Sequence, residues 1–247
     1  MRQATSVVAI GAAALVFGLS GADARANGSV ADASISVHHL HRFQNQVAFV
    51  VSWGAADPTA VTSFDVRVRS KAPTGDWTAW GPWLDETTDT SATYLGARGS
   101  THCFAARAHG SEIWSRPRCT AVPYDDVDLI HEGGWTTAFN QPHHYLRTYA
   151  YSWSYGDSLH TWTIHARRLA VMADTCPDCG SVEIWWNGVE RLASFSLVTP
   201  EVHHKVLFLA PPFASRRTGW ASVVISQPGE PGGDPAPLID GFGISQE

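Results

Sequence analysis

The sequence predicts an all-β protein built as two antiparallel β-sandwiches in series. The chain breaks into short segments of alternating apolar and polar residues separated by turn residues. Charged residues make up only 16% of it, while Trp, Gly and Pro number 11, 21 and 14, a composition that favours pleated sheets over helices. The four cysteines form two close pairs, Cys103 with Cys119 and Cys176 with Cys179, as disulfide staples would.

The first 26 residues read as an export signal. Arg2 gives a positive start, Val7 to Leu19 an apolar run, and Ala24-Arg25-Ala26 a small-x-small cleavage site. The expected mature chain begins at Asn27 and is extracellular. The apolar run falls short of the roughly 20 residues that span a bilayer, and no second one follows, so no membrane span is expected. With 17 basic and 23 acidic side chains the net charge is −6, which argues against a nucleic-acid partner, because phosphate binding depends on clustered Lys and Arg.

Residues 27–122 form the first expected domain, with strands at 34–40, 47–53, 61–70, 77–84, 92–95, 103–108 and 116–122. In the third, Phe64, Val66 and Val68 share one face and Asp65, Arg67 and Arg69 the other, the period of a strand with one buried side. Trp77, Trp80 and Trp83 are expected to pack along an edge. Cys103 and Cys119 are centred on Ser111 in the turn-like stretch His109-Gly110-Ser111-Glu112, so a hairpin there brings them face to face across neighbouring strands. The Ala121-to-Asp126 stretch, with Pro123 and two acids, reads as the domain junction.

Residues 123–247 form the second expected domain, with strands at 145–155, 159–165, 168–173, 182–186, 190–197, 205–209, 221–226 and 238–244. Asn187-Gly188 is a type I′ hairpin signal. Cys176-Pro177-Asp178-Cys179 admits a redox motif, half a zinc site or a local staple. Redox use lacks its usual βαβ context and zinc lacks a second ligand pair, so the staple leads.

Two resemblances follow from these residues. Trp53, the Phe64-to-Val68 strand and Cys103-Phe104-x-x-Arg107 are similar to a fibronectin type III domain over about 90 residues. His102 stands where such domains carry the tyrosine of the tyrosine corner, a loss the Cys103 to Cys119 bridge would offset. The resemblance implies a spacer or binding module, of the kind that in bacteria often accompanies polysaccharide-degrading enzymes; it does not imply catalysis. The second half resembles the jelly-roll sandwiches of carbohydrate-binding and galactose-binding-like domains, through the Tyr149-to-Tyr155 strand, the Ser181-to-Gly188 strand and hairpin, and Ile239-Asp240-Gly241.

Flat aromatic rings stack on sugar faces, so a sugar platform needs an outward Trp or Tyr on a rigid strand. In Val182 to Trp186, apolar parity sends Trp186 inward and Trp185 outward beside Glu183. Trp185 is therefore the first candidate, followed by Trp153, Trp162 and Tyr151. Tyr149, Tyr151, Trp153 and Tyr155 share one parity, opposite Ala150, Ser152 and Ser154. Large aromatics dominate cores, so that face is expected inside, with the platform as the alternative. The side of Trp162, which shares parity with His160 and Ile164, is left open.

Histidines cluster at His38, His39 and His41, at His143-His144 and at His203-His204. Adjacent residues on a strand point to opposite faces, so these pairs are expected to be solvated, with no metal site and no cofactor. Asp125, Asp126 and Asp128 are expected in a solvated linker, with a structural calcium as the lesser alternative. No nucleophile elbow, metalloprotease helix or phosphate loop occurs, so no catalytic residue is assigned. The function these readings support is an exported binding or adhesion module for a surface or matrix polysaccharide. The rivals are a small glycoside hydrolase or lyase, which needs two carboxyls roughly 5 to 9 Å apart, and a structural or protein-interaction module.

Overall fold

The computed structural model describes residues 34–229 and 236–247; the expected export signal lies outside them. Among the described residues twenty strands are joined by antiparallel ladders. In the first half they are β1 (Ile35–Val37), β2 (Ala48–Ala55), β3 (Phe64–Lys71), β4 (Gly81–Thr87), β5 (Ser91–Leu95), β6 (Thr101–Ala108) and β7 (Arg118–Ala121). A three-stranded sheet in the order β1-β2-β5 faces a four-stranded sheet in the order β4-β3-β6-β7. Between them lie Val51, Trp53, Phe64, Val66 and Phe104. The Phe64-Val66-Val68 face points inward, as the alternation predicts.

The opposite face of β3 is not solvated. Arg67 lies over the rings of Trp80 and Trp114, and Arg69 over those of Trp77 and Trp80, so guanidinium and indole planes alternate across the strand. Asp65 is buried on the same face, bonded by Arg107 and His109. Trp83 instead turns into the core against Trp53, Tyr94 and Phe104. Buried His102 hydrogen-bonds Ser70 Oγ through Nδ1 at 2.7 Å and packs edge-on to Tyr94. Cys103 pairs with Cys119 across β6 and β7, their Cα atoms 4.0 Å apart, and the two are disulfide-bonded.

The second half contains β8 (Tyr124–Asp125), β9 (Ile130–Glu132), β10 (Thr136–Phe139), β11 (Thr148–Tyr151), β12 (Ser158–His160), β13 (Ile164–Ala166) and β14 (Arg168–Thr175). It continues with β15 (Ser181–Trp186), β16 (Glu190–Ser196), β17 (His203–Leu209), β18 (Arg217–Gly219), β19 (Ala221–Gln227) and β20 (Leu238–Ser245). One sheet runs β10-β11-β20-β14-β17, with β8 added to β20; the other runs β16-β15-β19-β12-β9. Leu169, Val171 and Ala173 from the first sheet meet Val182, Ile184, Trp186 and Val223 from the second. Asn187 and Gly188 both take positive φ in the β15–β16 turn, as their type I′ signal requires. Cys176 and Cys179 are bonded to each other beside this core.

The expected strand at 145–155 is shorter than its pattern. Tyr145–Arg147 forms a 3-10 turn, and β11 stops at Tyr151. Its inward face consists of Ala150 and Ser152, both buried, whereas Tyr149 and Tyr151 remain half-exposed. The aromatics are therefore not the core face: small residues occupy the tight space between the sheets there.

Residues Ala121 to Asp126 join the halves without an exposed linker, and Asp125 and Asp126 are buried, contrary to the solvated linker expected of them. Phe43 and Ala121 pack on Ala170 and Leu207. Gln246 bonds the Thr101 Oγ1 and Ala72 O atoms of the first half. Among the described residues no helix is long and apolar enough to cross a membrane.

Candidate functional site

The sheet β16-β15-β19-β12-β9 buries one face and opens the other. Val182, Ile184 and Trp186 go inward, so Glu183 and Trp185 go outward, as their parity requires. Strand register extends this into rows. Trp185 pairs with Ser222 and Ser222 with His160; Glu183 pairs with Val224, Val224 with Ser158, and Ser158 with Glu132. Trp220 shares the parity of Ser222, and its ring lies 5.5 Å from that of His160.

A cleft of about 320 Å³ opens here, lined among others by Glu132, Tyr155, Glu183, Trp185, Trp220 and Ser222. The Trp185 indole is fixed: its Nε1 donates to Glu183 Oε2 at 2.9 Å, while Arg191 Nη1 donates to Glu183 Oε1 at 2.9 Å. Tyr155, 77% exposed, stands at the rim. Gly188 makes room for the second indole, since a Cβ there would come within 2.9 Å of the Trp220 ring. Glu183 and Glu132 stand three strands apart, about 14 Å between backbones at about 4.8 Å per strand.

Of the other candidates, Trp153 lies in the loop after β11, Trp162 is exposed between β12 and β13, and Tyr151 is on the opposite sheet beside Tyr149. The structure does not bring them to the Trp185 cleft. Trp220, Tyr155 and Glu132 take their place there. Trp220 was legible from the parity of Ser222 and Val224; Tyr155 was not, because it follows the end of β11.

A second centre forms on the outer face of the other sheet. Along β14, Leu169, Val171 and Ala173 go to the core, which leaves Ala170, Met172 and Asp174 on the far side. The ladders on both flanks of β14 slip beside Asp174. On β20 the register jumps from Gly241 to Ile239, setting Asp240 in a bulge; on β17 it jumps from Val206 to His203, where Lys205 has φ 56°. Bulges re-aim side chains, and these two turn Asp240 and His204 toward Asp174.

His204 Nδ1 lies 2.5 Å from Asp174 Oδ2, and the Lys205 amide donates to Asp174 Oδ1 at 3.2 Å. His144 enters from the 3-10 turn, where Leu146 and Arg147 both hold positive φ. Its Nδ1 is 2.9 Å from Asp240 Oδ1 and 3.7 Å from Asp174 Oδ2. Burial works against charge on His144, but the Asp240 and Asp174 carboxylates prevail and raise its pKa. Asp240 is raised too, chiefly by burial, and no donor among the described residues reaches its Oδ2. His144 is thus not a solvated surface histidine, as its pair was expected to be.

Next to this centre, Thr148 Oγ1 lies 3.1 Å from Asp125 Oδ1 and 2.6 Å from Asp126 Oδ1, so one hydroxyl proton serves two carboxyls. Burial and mutual repulsion push Asp125 up to about 7; burial, with Asp240 close by, pushes Asp126 up to about 6.

The sequence matches no protein-family model and no curated protein. The two sites therefore rest on their own geometry. The open cleft offers ring faces, hydroxyls and carboxylates to a neutral polar ligand. The buried centre offers imidazole and carboxylate donors in a confined space.

Proposed function

We propose that the chain is an exported, non-catalytic module that holds a surface or matrix glycan in the Trp185 cleft. The observation that carries this reading is the pinned Trp185 indole beside Trp220 on an open, rigid sheet face. Sugar rings stack on such planes through their C–H faces, while Glu132 accepts and the half-buried Ser158 beside it donates hydrogen bonds to hydroxyls. The second half is read as a jelly-roll-like binding domain. The three-against-four strand order of the first half supports reading residues 27–122 as a fibronectin type III spacer. The expected signal in residues 1–26 and the two disulfides support an extracellular location.

The test is a glycan array and an insoluble-polysaccharide pull-down with residues 27–247, alongside Trp185→Ala and Trp220→Ala. Retention by the parent chain and a loss of tenfold or more in each variant is the expected result. No binding by the disulfide-intact parent would transfer the reading to a protein-interaction module.

A further inference from the structure

We propose that His144, Asp174 and His204 form a binding site for a divalent first-row transition ion such as zinc. One ligand atom from each of the three residues lies within 4.8 Å of the other two. In a tetrahedral shell with bonds of about 2.0–2.2 Å the ligand atoms stand about 3.3–3.6 Å apart, so His144 and Asp174, at 3.7 Å, already match it, and His204 draws back from Asp174 by about 1 Å to admit the ion. Two imidazole nitrogens with carboxylate oxygen suit a transition metal; calcium and magnesium prefer all-oxygen shells.

A second observation points the same way. Asp240 is fully buried, its Oδ1 is 2.9 Å from His144 Nδ1, and its Oδ2 meets no donor among the described residues. Such an oxygen in a dry place is costly, and a cation on the neighbouring His144 and Asp174 lowers that cost through its field. Asp174 and Asp240 with two neutral imidazoles carry a charge of −2, which a dication matches. On binding, each neutral imidazole gives one ring-nitrogen lone pair to the ion and keeps its proton on the other, and for His144 a proton kept on Nδ1 preserves the bond to Asp240.

The backbone is shaped to this end. Both bulges and the positive-φ pair Leu146-Arg147 converge on these side chains, and strained segments persist where the surroundings hold them for a purpose. The His143 ring stacks on that of His204, with centroids 5.5 Å apart. Access runs through a cleft of about 270 Å³ lined by Asn45, Gln46, Pro142, His144 and Lys205. The site is separate from the Trp185 cleft and does not depend on glycan binding.

The experiment is titration calorimetry of the chelator-dialysed, disulfide-intact chain with zinc chloride, and separately with calcium chloride, paired with thermal unfolding. His204→Ala removes one half-exposed ligand, and His203→Ala, its exposed neighbour, is the control. One zinc per chain is expected at micromolar affinity or tighter, at least tenfold weaker in His204→Ala and unchanged in His203→Ala. Zinc should raise the Tm of the parent chain and of His203→Ala but not of His204→Ala. No zinc uptake by the folded parent, equal affinity in His204→Ala, or an equal effect of calcium would each overturn the proposal.

Discussion

Gly241 shows how one residue without a side chain sets the buried centre. It lies in β20 opposite Asp125, and a Cβ there would meet the Tyr124 carbonyl oxygen at 2.3 Å. Only glycine lets β8 approach closely enough to carry Asp125 and Asp126 under Asp240. Gly241→Ala is expected to destabilise the protein by about 1 to 3 kcal/mol, as overpacking does, seen as a lower urea midpoint with an unchanged slope. At this scale the sequence was a partial guide. Parity placed Trp185 correctly, because β15 is regular through Glu183 with a fully apolar inner row. The rule that adjacent strand residues face opposite ways does not reach His143-His144, which precede the 3-10 turn and whose rings both approach that of His204. The partners come from positions 174 and 240, and it is the bulges beside β14 that bring them together, which no local spacing reveals.

Among the elements, the β6–β7 pair is the one whose pairing was written most openly in the sequence. The symmetric cysteines around Ser111 anticipate the opposition of Cys103 and Cys119 because a ladder preserves offsets from its turn. Replacing both cysteines by alanine should cost about 3 kcal/mol, the loop-closure value for a separation of 16 residues. Replacing Cys176 and Cys179, only three apart, should cost less; comparing the two double variants by denaturant unfolding tests the order. β11 is the contrary case. Its tyrosines alternate as a buried row would, but the space between the sheets admits only Ala150 and Ser152, and Tyr149 packs instead against His144. Alternation gives the two faces of a strand; which one is inside depends on how closely the opposing sheet approaches. The short strands β8, β9, β10 and β18 escaped notice because two to four residues cannot display a period.

At the scale of the whole molecule, the titrating groups divide into two sets with opposite consequences. Asp65 is held down to about 2: burial opposes its charge, but His109, the Glu86 amide and Arg107 outweigh it. Its contribution is present above about pH 4 and is lost as pH falls toward 2. Asp125 and Asp126, raised to about 7 and about 6, act the other way: the native state keeps their protons longer than the unfolded chain, so stability falls as pH rises from about 4 to 7. With metal removed by chelator, thermal unfolding across pH 3 to 9 should show maximum stability between about pH 4 and 5. Asp126→Asn should flatten the alkaline side and stabilise the protein at pH 8 by an amount on the order of 3 kcal/mol, read as a higher Tm; an unchanged profile would refute the assignment. The two halves should melt as one transition, since Phe43, Ala121, Ala170 and Leu207 share a cluster across them. β20 is inserted between β11 and β14, yet it follows Arg168, the first residue of β14, by 70 positions. Until β20 docks, β14 has a partner only on its β17 side, and its other edge, between Leu169 and Met172, is open to pairing with a second copy of the chain.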